Sequence, residues 1–377
     1  MTEYVKGEYV QQGLLLRPDA PEMPDQLLLR ILSSKRAHGS VGDTNFRMWL
    51  TAELKTLGTE PEILTKGEGT ITVSVGKSKT LFSCHIDTVH SVQESDGSHQ
   101  KLSYDSAMGH IFLGKPSEGP VSSCLGADDG AGIYLMLKMI QAKVPGTYIF
   151  HTGEERGGIG CRATLQNYRD MLKKFSRAIA FDRPNDFEVI THQGGFRCAS
   201  DEAGDFIVDS FKKAGLAYSL SGRGVFTDTK VYAGVIPECF NLGVAYYQQH
   251  SADEYLDVVH LEELLKACIA TDWEKMPVVR KAEEPTFFKP KSPFPKNFVK
   301  SEPVFPNGGA GSPAKPSKVA FTAFEVLDEF DMYKEDEIRL LCEEDPEIAY
   351  RVMMLMYGRL KAAETERDVY LSILELN

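Results

Sequence analysis

The chain has 377 residues, 42% of them hydrophobic and 25% charged, which matches ordinary globular proteins and is enough for one large α/β domain with an accessory piece. A net charge of -12 argues against a nucleic-acid binder, whose footprint is a basic surface, and no apolar run approaches the roughly 18–20 residues that cross a bilayer. The opening MTEYVKGEYV has no basic stretch ahead of an apolar core, and the seven scattered cysteines form no CxxC unit, so a cytoplasmic protein with buried, reduced thiols is expected.

Taken in chain order, DQLLLRILSSKRA and FRMWLTAELKTLG carry the apolar spacing of amphipathic helices, and TITVSVG and KTLFSC read as strands. Beyond them IYLMLKMIQA predicts a helix, TYIF a strand, TLQNYRDMLKKF a helix and RAIAF a strand. Further strands are expected around Phe187–Thr191 and Cys239–Ala245, with a helix between them. Such alternation predicts a three-layer α/β/α fold over residues 1–276, with a mixed, mostly parallel sheet. Residues 277–318 hold 9 of the 19 prolines and read as an extended, Pro/Lys-rich linker, with docking to a proline-reading domain as the alternative. Residues 319–377 carry 15 Asp/Glu against 6 Lys/Arg and predict a small, acidic, all-α segment whose Met-rich helices serve self-association or partner docking.

The polar residues gather at the ends of these elements. His85 and Asp87 follow the strand Leu81-Phe82-Ser83-Cys84, GADDGAG opens the helix at Ile133, and Glu154-Glu155 follow Tyr148-Ile149-Phe150. Asp182 ends the strand Ile179-Ala180-Phe181, and His250 comes after Asn241–Tyr246. In an open α/β sheet the crevice at the carboxyl ends of the strands is where ligands bind. Imidazole and carboxylate together, without thiolate, suit zinc or another divalent first-row ion. Two metals need about six protein contacts, a number that one bridging carboxylate and four terminal ligands supply.

The series HID, GADDGAG, GEE, FD and QHSADE resembles the co-catalytic di-zinc exopeptidases, which include zinc aminopeptidases, tripeptidases and carboxypeptidase-G-like enzymes. The similarity runs from about Phe82 to Leu265, with its motifs in the family's order. It implies His85 and Asp182 on one metal, Glu155 and His250 on the second, and Asp128 bridging them. It further implies Asp87 as the partner of the His85 imidazole, Glu154 as general base, and Asp129 as the neighbour whose peptide bond is often cis in relatives. The cofactors implied are two divalent ions, Zn2+ with Co2+ or Mn2+ as substitutes.

For the donor that steadies a developing oxyanion, Tyr246, Tyr247, Arg223 and His192 all stay open. His90, His99, His110, His151 and His260 read as ordinary core or surface residues. Asp228 reads as a helix cap, and Glu254 either as a group orienting the metal shell or as a helix start. Two departures from the family pattern matter. The interval from His85 to Asp128 leaves room for a hairpin or flap and no further domain, and Gly130 stands where tripeptidase-like members commonly have Lys.

The expected activity is a metallopeptidase, an exopeptidase of aminopeptidase type acting on short peptides. An N-acyl amino acid deacylase with the same metal chemistry is the near alternative. A non-catalytic scaffold working through its C-terminal helices is the distant one, and a buried acidic cluster that repels itself without metal argues against it.

Overall fold

A computed structural model describes residues 20–114 and 122–282. The helical segment expected at 319–377, and all but six residues of the linker expected at 277–318, lie outside the described residues.

In chain order the elements begin with α1 (Gln26–Leu32), α2 (Val41–Thr56), β1 (Glu62–Leu64), β2 (Thr70–Val75) and β3 (Thr80–His85). Next come β4 (Leu102–Asp105), β5 (His110–Leu113), α3 (Ala127–Gln141), β6 (Gly146–His151), α4 (Ile159–Asn167) and α5 (Arg169–Leu172). They are followed by β7 (Arg177–Arg183), β8 (Glu188–Ile190), β9 (His192–Gln193), β10 (Phe196–Arg197), α6 (Asp201–Lys213) and β11 (Ser219–Ser221). The series ends with α7 (Asp228–Tyr232), β12 (Glu238–Gly243), β13 (Tyr246–Tyr247), β14 (Tyr255–Asp257) and α8 (Val258–Ala270).

Eight strands form the main sheet in the order β1-β2-β6-β3-β7-β12-β8-β11. Its centre, β6-β3-β7-β12, is parallel throughout, and antiparallel pairs join β2 to β6 and β12 to β8. The central strands are buried on both faces and therefore read as nearly continuous apolar runs. Alternate residues face opposite cores. Phe82, Tyr148, Phe150, Ile179 and Phe240 pack with α1, α2, α3 and α8 on one side. Leu81, Ile149, Ala178 and Cys239 pack with α4, α5 and α7 on the other. The three-layer arrangement expected from the alternation is the one observed. A smaller antiparallel sheet, β13-β14-β5-β4, includes the hairpin that fills the interval between His85 and Asp128.

Helix α3 buries 13 of its 15 residues, so it is a core helix enclosed on nearly all sides, wedged against β3 and β7, and not a surface helix with one wet face. Three helices differ from the expected lengths. Helix α1 stops at Leu32 because the Ser34 hydroxyl takes the Arg30 carbonyl (3.0 Å) and Arg36 takes that of Ile31 (2.8 Å), ending the ladder. Helix α2 begins earlier than expected, at Val41, because the Ser40 hydroxyl accepts the Asp43 N–H at 3.0 Å. The helix expected over TLQNYRDMLKKF is broken at Tyr168, whose φ of -126° and ψ of 27° are not helical.

All six cysteines among the described residues are free and buried. No helix among the described residues is long and apolar enough to cross a membrane.

Candidate metal centre

The parallel strands deliver their carboxyl ends to one crevice. His85 is the last residue of β3, Asp182 stands near the end of β7, and Glu154 and Glu155 lie in the turn after β6. Asp128 enters from the start of α3, at a non-helical φ of -80° and ψ of 103°, and the Asp128–Asp129 peptide is cis. His250 arrives by a longer route than a strand end. Strand β12 stops at Gly243, the chain passes through β13, and His250 takes a left-handed φ of 62°.

These residues converge as two triads that share Asp128. Donor atoms of His85, Asp128 and Asp182 lie within 4.8 Å of one another, as do those of Asp128, Glu155 and His250. His85 Nε2 is 3.0 Å from Asp128 Oδ1 and 3.5 Å from Asp182 Oδ1. His250 Nε2 is 3.2 Å from Asp128 Oδ2 and 2.9 Å from Glu155 Oε1. Each oxygen of Asp128 thus faces a different imidazole. Glu154 joins His85 and Glu155 in a third group of the same size.

The electrostatics follow from this crowding. Burial would lower His85, but Asp182 and Asp128 outweigh it and hold the imidazole well above its ordinary value. Burial also opposes charge on His250, yet Asp128 and Glu155 raise it to about 11. Glu155 is pushed up to about 7 by desolvation and the Asp128 charge, and Glu154 well above the carboxylate range by desolvation with Asp182 and Glu155. Burial would raise Asp128 as well, but its two imidazoles hold it low.

The donor set fits divalent cations. Carboxylate oxygens and imidazole nitrogens at this density repel unless protons or cations neutralise them. Buried Glu155 Oε1 completes no hydrogen bond, although His250 Nε2 is only 2.9 Å away, which is the arrangement of two donors converging on a common ion.

Several supports differ from the sequence expectation. His85 Nδ1 donates to the main-chain carbonyl of Asp87 at 2.9 Å, and the Asp87 carboxylate is farther, at 3.8 Å. That carboxylate instead accepts the main-chain N–H groups of Glu154 (3.0 Å) and Glu155 (3.2 Å). Asp129 accepts the N–H of His85 and of Gly132, each at 3.0 Å, and so joins β3 to the first regular turn of α3. Asp228 is the first residue inside α7 and not its cap, a position that Thr227 holds while donating to Asp182 Oδ2 at 2.6 Å. Burial pushes Asp228 up to about 7. Glu254 starts no helix, and its contacts fit the other expected role, orienting the shell through the Asp128 backbone. It accepts the N–H groups of Leu125 (2.8 Å), Gly126 (2.9 Å) and Asp128 (2.9 Å).

Of the four oxyanion candidates, Tyr246 reaches the cluster, donating to Asp182 Oδ1 at 3.3 Å. Tyr247 stacks on Tyr255, Arg223 pairs with Glu188 at 2.7 Å, and His192 meets Thr191 at 3.0 Å. His90, His99, His110, His151 and His260 engage Gln100, Arg30, Tyr255, Tyr232 and Tyr218 respectively, and none of them belongs to the triads.

Sequence reasoning missed Asn241 and Arg36. The Asn241 amide holds the Asp182 backbone at both its N–H (3.0 Å) and its carbonyl (2.6 Å). A polar residue between the apolar Phe240 and Leu242 of buried strand β12 was the available signal.

No family model matches the chain, and no curated protein matches it in sequence. Solved structures do match. The aminopeptidase PepT from Bacillus cereus ATCC 10987 is similar with a TM-score of 0.52 at 17% identity, over 66% of this chain and 96% of that one. A tripeptidase from Staphylococcus aureus gives 0.51 at 13% identity, over 65% and 95% of the two chains. The PhTET1-12s dodecamer gives 0.50 at 15%, over 65% and 98%. At these identities the likeness is one of fold, and it is the zinc-exopeptidase fold that the motifs imply.

Proposed function

We propose that the chain is a two-metal exopeptidase, of aminopeptidase type, that hydrolyses short peptides. The observation that carries this reading is Asp128, whose two oxygens face His85 at 3.0 Å and His250 at 3.2 Å, each imidazole with a second carboxylate beside it. One cation would be held by His85, Asp182 and Asp128, the other by His250, Glu155 and Asp128. When bound, such a pair would supply Lewis acidity for a scissile carbonyl and for the attacking water.

The protein's own groups supply the proton chemistry. Glu154 belongs to the cluster yet stands outside both Asp128 triads, so its carboxylate is free to take the proton of the attacking water and deliver it to the leaving amine. Its neighbour Glu155 is committed to His250. Asp87 fixes the turn that carries both by accepting their main-chain N–H groups. Tyr246, the candidate donor whose hydroxyl reaches Asp182 of the cluster, is the group assigned to steady a developing oxyanion.

Elemental analysis of the purified protein, with assays on aminoacyl and N-acyl panels beside Glu154→Ala, tests the reading. Expected are about two metals per chain, turnover of aminoacyl substrates, and a loss of roughly 10²–10⁴-fold in the variant with its metal retained. Turnover of the N-acyl panel alone would move the assignment to a deacylase. No metal after reconstitution would overturn the site.

A further inference from the structure

We infer that Arg36 and Glu254 are positioning residues for the two metals, each fixing the bridging Asp128 against a different histidine. The inference rests on the two-metal reading above.

Arg36 is fully buried, and its guanidinium is spent on main-chain carbonyls. Nε donates to Ile86 O at 2.8 Å and Nη2 to Gly126 O at 3.0 Å, with Nη1 on Ile31 O at 2.8 Å and on Ser34 O at 3.0 Å. Ile86 lies between His85 and Asp87, and Gly126 two residues before Asp128. One rigid, planar cation therefore ties the end of β3, which carries His85, to the loop that carries Asp128.

Glu254 does the same from the other side with the opposite charge. It is fully buried and accepts the N–H groups of Leu125, Gly126 and Asp128. It also sits four residues after His250, in the same loop, with its own N–H on Ser251 O at 3.2 Å. Gly126 is thus gripped at both ends of its residue, N–H by the anion and C=O by the cation. It has a φ of +73°, and an added Cβ would stand 3.0 Å from Thr88, so the gripped residue has little freedom to move aside. Two buried, oppositely charged groups bonded to backbone and not to each other do no packing that a hydrocarbon could not do better. What they do achieve is a defined path from His85 through Arg36, Gly126 and Glu254 to His250, with Asp128 at its centre.

The two halves of this path serve different ions. Arg36 sets Asp128 against His85, and Glu254 sets Asp128 against His250. A purely structural role would weaken both ions alike, or neither.

The test is a metal titration of stripped, full-length protein with Co2+ or Zn2+ in competition with a chromophoric chelator. Wild type, Glu254→Gln and Arg36→Lys are compared, each with a thermal melt. Gln keeps the size of Glu254 but turns one acceptor oxygen into a donor facing an N–H, and Lys can hold at most part of what Arg36 holds. Glu254→Gln is expected to weaken one of the two ions by roughly 10–100-fold with the other within a few-fold, as losses of supporting partners do elsewhere. Adding His250→Ala to it should then cost that same ion and spare the other. Arg36→Lys should weaken the opposite ion. If it does not fold, Glu254→Gln still decides the matter by itself. A folded Glu254→Gln that loses both ions equally, or neither, overturns the inference while leaving the two-metal reading standing. A wild type that binds no metal overturns both.

Discussion

Asp87 holds Glu154 by its backbone: one carboxylate oxygen receives the Glu154 N–H at 3.0 Å, and the other receives that of Glu155 at 3.2 Å. Asp87 is fully buried, so neither bond competes with water. Asp87→Asn keeps the shape but leaves one acceptor oxygen, and its amide N–H₂ must face one of the two N–H groups. The turn carrying Glu154 and Glu155 should then loosen without losing either side chain. We expect kcat/KM to fall about 10–100-fold with bound metal retained, measured on whichever panel wild type turns over. Unchanged turnover would remove Asp87 from the positioning of the proposed base.

The sequence is informative about the proposed metal ligands for a physical reason. His85, Glu155 and Asp182 are polar residues that interrupt apolar runs where parallel strands end, and such a pattern is local. Their supports are not local. Arg36 meets Ile86 and Gly126 across separations of 50 and 90 residues, and Glu254 meets Leu125 across 129, so no window of sequence contains either grip. Asp87 misleads in a different way: its position two residues after His85 suggests a carboxylate–imidazole pair, but the main-chain carbonyl at 2.9 Å takes that role. The small sheet is hard to read because its strands span two to four residues, too few for a period to show.

Metal binding should release protons. In the metal-free protein Asp182 and Asp128 keep His85 protonated against its burial, and His250 is raised to about 11, so both imidazoles carry protons at pH 7. A coordinating nitrogen must be bare, and Glu155, raised to about 7, must give up its share as well, so filling the site expels at least two protons per chain. Calorimetric titrations of Zn2+ in buffers of different ionisation enthalpy should give that number as their slope, and the apparent affinity should strengthen as pH rises. A buffer-independent enthalpy would mean that the imidazoles do not take the ions.

His90 gives a separate, acid-side signature. Burial, with the nearby Arg36 cation, depresses it to about 4, against an ordinary value of 6.5. Native His90 is thus neutral where an unfolded histidine takes a proton. Its stabilising share is complete above pH 6.5 and is lost as pH falls towards 4. Asp228 and Glu254, each raised to about 7, push the other way, so the comparison must be between wild type and His90→Gln. Between pH 7 and 5, denaturant titrations of stripped protein should show wild type losing about 2 kcal/mol more than the variant. Parallel pH profiles would show that His90 is not held neutral.

The last two glycines of GADDGAG, Gly130 and Gly132, should behave oppositely. A Cβ on Gly132 would stand 2.3 Å from Asp129 Oδ1 and 2.4 Å from the Phe181 carbonyl of β7, so no rotamer change makes room where α3 meets the sheet. A Cβ on Gly130 would meet Leu32 at 3.0 Å and Ile31 at 3.2 Å, both flexible side-chain atoms. Alanine also favours a helix over glycine by about 1 kcal/mol, which offsets the small shift needed at position 130. Gly132→Ala should therefore lose about 3 kcal/mol in denaturant titration, and Gly130→Ala less than about 1 kcal/mol. Lysine at position 130, common in tripeptidase-like members, would carry its ammonium into apolar Leu32 and Ile31, with the Arg36 guanidinium only 3.4 Å from its Cβ. Gly130→Lys should cost at least as much as Gly132→Ala, since a buried like charge adds to the steric strain. If Gly130→Lys folds with wild-type stability, the contact between α1 and the Asp128 loop is looser than these distances require, and the constraint on Asp128 must come from the Glu254 side alone.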